Sequence, residues 1–240
     1  MNNMQTNNID NKIIYIFWVG GHPMSENRQK SVISIKNNTG CNIRLITDNN
    51  VKNYILEDYP LHEAYTYLHP VHKSDYLRCY FMLHYGGGYT DIKRTDNNWE
   101  IYFEELKNNE DLWVIGYKEV SKESWICTYM LSQEPDVVKN VEDNWDKLIG
   151  NGAFICKSHT SFTTDWYNEL NRRMDKYNEV FKKFPKLHKD KSIQITNIET
   201  GEKISYIIPW TELLGDILHP LCLKYNTHFS QNLQPPQFTN

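Results

Sequence analysis

Hydrophobic positions along the chain fall into continuous runs and helically spaced stretches. Residues 12–19 (Lys-Ile-Ile-Tyr-Ile-Phe-Trp-Val) form a nearly unbroken apolar run, the pattern of a strand covered on both faces, as in parallel sheets. Gly20-Gly21 then turns the chain, and Ser25 stands where it would cap a helix running to about Asn37. Residues 42–47 read as a second strand, closed by the turn-prone Asp48-Asn49-Asn50. A strand–helix–strand opening implies a right-handed crossover and an α/β layer fold.

From Lys73 to Tyr85 apolar and aromatic residues recur at helical spacing. Gly86-Gly87-Gly88 ends that helix, and Tyr89-Thr90 opens a short strand ending near Asp91. Residues 112–117 and 152–156 read as further strands. Residues 162–177 read as a helix, with Asp165 and Glu169 early and Arg172, Arg173 and Lys176 late, as the helix dipole favours. The basic stretch 182–191 reads as a surface loop, 193–208 as a hairpin split by Thr200-Gly201, and 212–218 as a final helix. The pattern predicts one domain over residues 12–232. It also predicts a poorly ordered polar stretch over 1–11 and a tail over 233–240, marked by Pro235-Pro236.

Composition narrows the class. Of 240 residues, 40% are hydrophobic and 23% charged, which fits a globular chain and excludes a disordered one. The net charge of −4 and the lack of a long basic run exclude the basic footprint of a nucleic-acid binder. No stretch approaches the ~18 apolar residues of a transmembrane segment, and the N-terminus has no apolar signal core. The five cysteines are odd in number and form no Cys-x-x-Cys pair. Free thiols in a reducing, cytoplasmic compartment are therefore expected. The 16 Tyr and 7 Trp exceed what a core of this size needs, so some are expected to line a binding site.

Candidate chemistry concentrates in two places. In Lys73-Ser-Asp-Tyr-Leu-Arg78, Asp75 and Arg78 stand at i and i+3 and share a helix face. Alone, that spacing makes a surface ion pair of little worth. The glycine run that follows lets the backbone pack closely or pass a ligand. The next strand delivers Asp91 at its carboxyl end, where α/β sheets bind ligands. The second place is Trp210-Thr-Glu-Leu-Leu-Gly-Asp-Ile-Leu-His-Pro220, where Glu212, Asp216 and His219 would share one helix face. A zinc site from His62, His69 and His72 is disfavoured, because Pro70 interrupts a continuous helix through them.

Ser74-Asp75-x-x-Arg78 followed by Tyr85-Gly-Gly-Gly-Tyr-Thr-Asp91-Ile-Lys93 resembles the DXD-containing sugar-transferase family. That family includes bacterial polysaccharide-synthesis enzymes, yeast mannosyltransferases and clostridial glucosylating toxins. The chain is also similar to a chlorella-virus glycosyltransferase domain. Phe17-Trp18-Val19-Gly20-Gly21 resembles the family's Trp-Ile-Gly-Gly run. Beyond Asn97 the likeness thins to residues 151–155 and 210–220.

The resemblance implies a GT-A-like nucleotide-sugar-binding fold, with a central mostly parallel, mixed sheet flanked by helices. It implies transfer of a hexose or deoxyhexose from a nucleoside-diphosphate sugar, a UDP-sugar, with Mn2+ or Mg2+ as cofactor. The acceptor would be a glycan, lipid-linked or protein-linked. Trp18 would stack on the base; Gly20, Asp75, Arg78 and Asn151 would bind the nucleotide-sugar; Asp91 would hold the metal, completed by Glu212 or His219. One departure stands out: the second aspartate of the motif is Lys93. Three outcomes are open: Asp91 holds a metal with the diphosphate, Lys93 itself supplies the positive charge, or Asp96 takes part. Asp143, Asp146 and Asp216 are candidates for an acceptor base, and both retaining and inverting outcomes are open. A nucleotide-sugar-binding module without catalysis is the second reading, and a nucleotidyltransferase the third.

Overall fold

In chain order the elements are β1 (Ile13–Trp18), α1 (Glu26–Asn38), β2 (Asn42–Thr47), α2 (Pro70–His84), β3 (Gly87–Thr90), α3 (Glu100–Asn108) and β4 (Val114–Lys118). They continue with α4 (Pro135–Asp143), β5 (Ile149–Cys156), α5 (Ser161–Lys183), β6 (Ile195–Thr196), β7 (Lys203–Ile204), α6 (Gly215–Lys224) and β8 (Phe229–Ser230). The computed structural model describes residues 8–122, 134–183, 195–196, 203–204 and 208–238. Six strands form one mixed sheet in the order β2-β1-β3-β5-β4-β8. β1 runs parallel to β2 and β3, β5 runs antiparallel between β3 and β4, and β8 is parallel to β4. The expected α/β class and mixed, helix-flanked sheet, consistent with a GT-A-like fold, are what the chain adopts.

The two-sided burial inferred for β1 follows from the strand period of two. Ile13, Tyr15 and Phe17 join the larger core with Phe81 of α2, Phe154 of β5 and Trp166 of α5. Ile14 packs on the opposite face with Trp99 and Phe103, and Ile16 with Val32 and Ile35 of α1. Ser25 caps α1 by accepting from the Arg28 N–H at 3.4 Å. The glycine run after α2 serves packing. A Cβ on Gly87 would lie 2.7 Å from the Ile13 carbonyl oxygen, and one on Gly88 would meet Ile14 and Trp99.

Several expectations shift. Helix α2 begins earlier than expected, with Pro70 in its first turn, where a missing N–H costs nothing. Helices α3 and α4 were not foreseen. Asn8 and Ile9 are buried, and the Asn8 amide donates to the Tyr15 hydroxyl and the Tyr85 carbonyl, both at 2.9 Å; residues 8–11 therefore belong to the folded body. In the tail, Leu233 is buried and Gln237 N–H donates to Arg94 O at 2.9 Å. Lys182 and Lys183 finish α5, and the rest of the expected basic loop lies outside the described residues. β6 and β7 pair antiparallel as the hairpin expectation requires, while Thr200-Gly201 lies outside the described residues.

Helix α6 starts three residues later than expected and continues past Pro220. Pro220 cannot donate to the Asp216 carbonyl one turn back. Arg173 Nη2 donates to that carbonyl instead, at 3.2 Å.

Candidate active site

A cavity of about 470 Å3 opens at the carboxyl ends of β1 and β3, within the usual size range of ligand pockets. It gathers Trp18 from β1, Asp75 and Arg78 from α2, Asp91 and Lys93 after β3, and Asn151 and Gly152 from β5. Arg28 of α1 and Trp210, Thr211, Leu214 and Gly215 ahead of and at the start of α6 complete it.

Trp18 ends β1, half-buried, and packs on the Ile16–Val32–Ile35–Ile92 cluster. Its indole N–H donates to the His22 carbonyl at 2.7 Å, so the Gly20–His22 loop sets the ring's edge. That loop is tied down by Asp48, whose Oδ2 accepts from Gly20 N at 2.7 Å and Gly21 N at 2.9 Å. Gly20 itself does not line the cavity. Its φ is +110°, and a Cβ there would stand 2.3 Å from Pro70 Cγ, so only glycine lets the loop pass against the start of α2.

Asp75 and Arg78 are not the surface pair their spacing allows. Every residue of α2 from Asp75 to His84 is buried, because the helix is covered by the sheet and by α5. Asp75 Oδ1 lies 3.5 Å from Arg78 Nη2. Burial pushes the Asp75 carboxyl up to about 7, with Asp91 adding to the rise and Arg78 opposing it. Arg78 is a hub: Nη1 donates to the Asn151 carbonyl at 2.6 Å and Nη2 to the Tyr89 hydroxyl at 2.7 Å. Tyr89 donates in turn to Asp91 Oδ1 at 2.5 Å, and burial holds its phenol well above the ordinary value. Asp91 Oδ1 also lies 3.6 Å from Arg78 Nη2.

Lys93 lines the same cavity, with Nζ 3.5 Å from the Phe238 carbonyl. Asn151 Oδ1 is buried without a hydrogen-bond partner among the described residues. Among the described residues the cavity thus carries three cationic side chains, Arg28, Arg78 and Lys93, against two carboxylates. One carboxylate, Asp75, has its charge disfavoured by burial. An anionic ligand suits that balance.

The late segment brings different residues than expected. Glu212 lies ahead of α6, 3.9 Å from Arg173 and 3.8 Å from Lys176, and does not line the cavity. His219 is fully buried in α6, with no partner for either ring nitrogen among the described residues, and burial pushes it down to about 4. Asp91, Glu212 and His219 are therefore not brought together, and no cluster of three or more His, Cys, Asp or Glu side chains fit for a metal occurs among the described residues. The physical reason is the later start of α6, which leaves Glu212 outside the helix. Asp96 binds the Gln237 amide at 2.6 Å in a separate polar groove. Of the base candidates, Asp143 pairs with Lys139 at 2.6 Å, Asp146 is exposed, and Asp216 accepts from the Thr211 hydroxyl at 2.5 Å. None of the three lines the cavity. Tyr89, Arg28 and Asp48 were missed. Tyr89 was legible in principle, since strand alternation puts residues 89 and 91 on one face.

The family described as capsular polysaccharide synthesis protein matches residues 1–136, more than half of the chain. That stretch carries Trp18, Asp75, Arg78, Asp91 and Lys93; Asn151 and the 210–215 wall lie beyond it. No curated protein and no solved structure matches. No helix among the described residues is long and apolar enough to cross a membrane.

Proposed function

The chain belongs to the capsular polysaccharide synthesis protein family, and from that membership we propose that it is a glycosyltransferase. It moves a hexose or deoxyhexose from a nucleoside-diphosphate sugar, a UDP-sugar, to an acceptor hydroxyl on a glycan, lipid-linked or protein-linked acceptor. The observation that carries this reading is the convergence of Trp18, Asp75, Arg78, Asp91, Lys93 and Asn151 on one cavity at the carboxyl ends of the strands.

Each residue has a chemical task there. Trp18 offers an aromatic face to the base, an interaction worth about 1–3 kcal/mol. Asp75 accepts from ribose hydroxyls or a base N–H. Arg78 works from behind: its fork holds Asn151, Tyr89 and Asp91 in place and lends positive potential to the diphosphate. Lys93 adds a second positive charge on the same side. As the bond from the sugar C1 to the diphosphate breaks, its electron pair goes to the phosphate oxygen, and these charges stabilise it.

The donor set fits a divalent cation held mainly by the substrate. Asp91 Oδ1 is bonded to Tyr89, which leaves Oδ2 for Mn2+ or Mg2+, and diphosphate oxygens and waters suit the rest of such a shell. When bound, the cation would neutralise charge on the departing diphosphate.

A thermal-shift series with UDP, GDP and their sugars, with and without Mn2+, tests the reading. A raised melting temperature with one nucleotide-sugar is expected, since a ligand stabilises by RT ln(1 + [L]/Kd). No shift with any of them would overturn it. Substitution of Lys93 into the motif also admits a binding module without catalysis. Release of free sugar from the bound donor separates the two, because a pure binder leaves the donor intact.

A further inference from the structure

A second cavity of about 320 Å3 lies beside the first and shares Asp91, Asn151 and Gly152 with it. We propose that this chamber is the acceptor subsite and that it takes the ring of a neutral pyranose. The inference rests on the donor reading of the first cavity.

The position follows from the reaction. A donor in the first cavity puts its diphosphate and sugar near Asp91, and the acceptor hydroxyl must reach the same carbon from space the donor does not fill. The second chamber abuts Asp91 and lies at the carboxyl end of β4. Gly152 lies in the wall that the two share. A Cβ there would stand 3.2 Å from Tyr117 Oη, 3.3 Å from Phe238 Cε1 and 3.4 Å from Asp91 Oδ2, so a side chain at this position would crowd the space between Asp91 and the two rings.

The chemistry of the walls sets the ligand class. Tyr117 and Phe238 supply aromatic surface, with ring centroids 5.8 Å apart and planes at 54°. Such surface suits the C–H face of a sugar ring. Glu119 spends one carboxylate oxygen on the Val120 N–H at 2.8 Å, leaving the other for sugar hydroxyls. Tyr117 Oη accepts from Gly152 N at 3.3 Å and retains its own proton to donate. Among the described residues no lysine or arginine lines the chamber, whereas Asp91 and Glu119 both do. Lys93, at the Phe238 carbonyl, offsets part of that charge, and the two carboxylates in the wall favour a neutral polyol over a phosphate or an acidic sugar. The Phe238 wall is held in place by its neighbour, since Gln237 binds Arg94 O at 2.9 Å and Asp96 at 2.6 Å.

The test uses the full chain and ligand-observed saturation-transfer NMR. The probes are methyl glucopyranoside, galactopyranoside and mannopyranoside, with the methyl glycoside of glucuronic acid as the anionic control, each with and without UDP. Binding of at least one neutral pyranoside is expected, and none of the glucuronide. Phe238→Ala and Glu119→Ala should each weaken the pyranoside roughly tenfold, the worth of one ring or charge-assisted contact. Phe238 lies in the half-exposed tail and outside the first cavity, so its variant should fold and bind UDP as before. Unchanged pyranoside binding in Phe238→Ala, no binding of any neutral pyranoside, or preference for the glucuronide would overturn the proposal. Failure of UDP to bind would instead overturn the donor reading, and the titrations without UDP would still decide the chamber.

Discussion

The Arg78 guanidinium lies over the ring of Tyr89, its Cζ 4.0 Å from the ring centroid, while its Nη2 donates to the same residue's hydroxyl at 2.7 Å. Tyr89 passes that constraint to Asp91. The carboxylate at the cavity is thereby oriented from α2, through a phenol that strand alternation places two residues before it.

Arg78→Ala should cost about 1–3 kcal/mol of stability, because it leaves the Asn151 carbonyl and the Tyr89 hydroxyl without their donor, while Asp75, whose charge burial already disfavours, takes up a proton. Urea unfolding of the variant measures this. A loss below ~1 kcal/mol would match an exposed pair and contradict the burial.

Trp18→Ala should weaken UDP binding by about 1–3 kcal/mol while leaving the fold intact, since the indole is half-buried at a strand end. Isothermal calorimetry reads the change; full affinity in the variant would remove Trp18 from the base site.

Gly20→Ala should destabilise by about 2 kcal/mol or more, from the positive φ and the overlap with Pro70. It should also lower UDP affinity, because the same loop carries the acceptor of the Trp18 indole N–H. A variant with wild-type melting temperature and UDP affinity would show that the loop tolerates a side chain.

Asp91→Asn should nearly abolish turnover with the fold retained, since an amide keeps the shape and loses the charge a hard cation requires. EDTA should abolish activity, and Lys93→Asp should strengthen Mn2+ dependence. Full activity in EDTA, together with loss of activity in Lys93→Ala, would assign the electrostatic task to Lys93 instead.

Acid sensitivity follows from His219. Burial holds it neutral to about pH 4 in the fold, against 6.5 for the free side chain. The unfolded chain therefore binds the extra proton first, and stability is lost as pH falls from 6.5 towards 4. His219→Phe should reduce the stability lost between about pH 7.5 and about pH 5 by about 2 kcal/mol. Asp75 has the opposite sign: pushed up to about 7 by burial, it favours the fold at low pH and loses that contribution as pH rises towards 7. Asp75→Asn should therefore steepen the acid loss. Urea titrations at the two pH values check both, and parallel shifts in the two variants would contradict the assignment.

Local pattern alone was enough for β1, α1, β2 and the end of α2, because their apolar runs, Ser25 cap and glycine stop act within a few residues. It was also enough to single out Asp75, Arg78 and Asp91 from their spacing and the glycine run, while Trp18 and Lys93 stood out through the resemblance to the sugar-transferase family. The structure alone decided what those residues face. Asp75 and Arg78 read as an exposed pair from spacing, since the spacing is the same whether or not a sheet covers the helix. The late segment reads as one helix face until Pro220 and the Arg173 fork are placed against it; then Glu212 turns to Arg173 and Lys176 and His219 is sealed inside. The tail and the Asp48 tether were equally invisible, because their partners are distant in sequence. Helix and strand periods are local properties of the chain, whereas burial, charge pairing and the walls of a cavity are set by segments that only folding brings together.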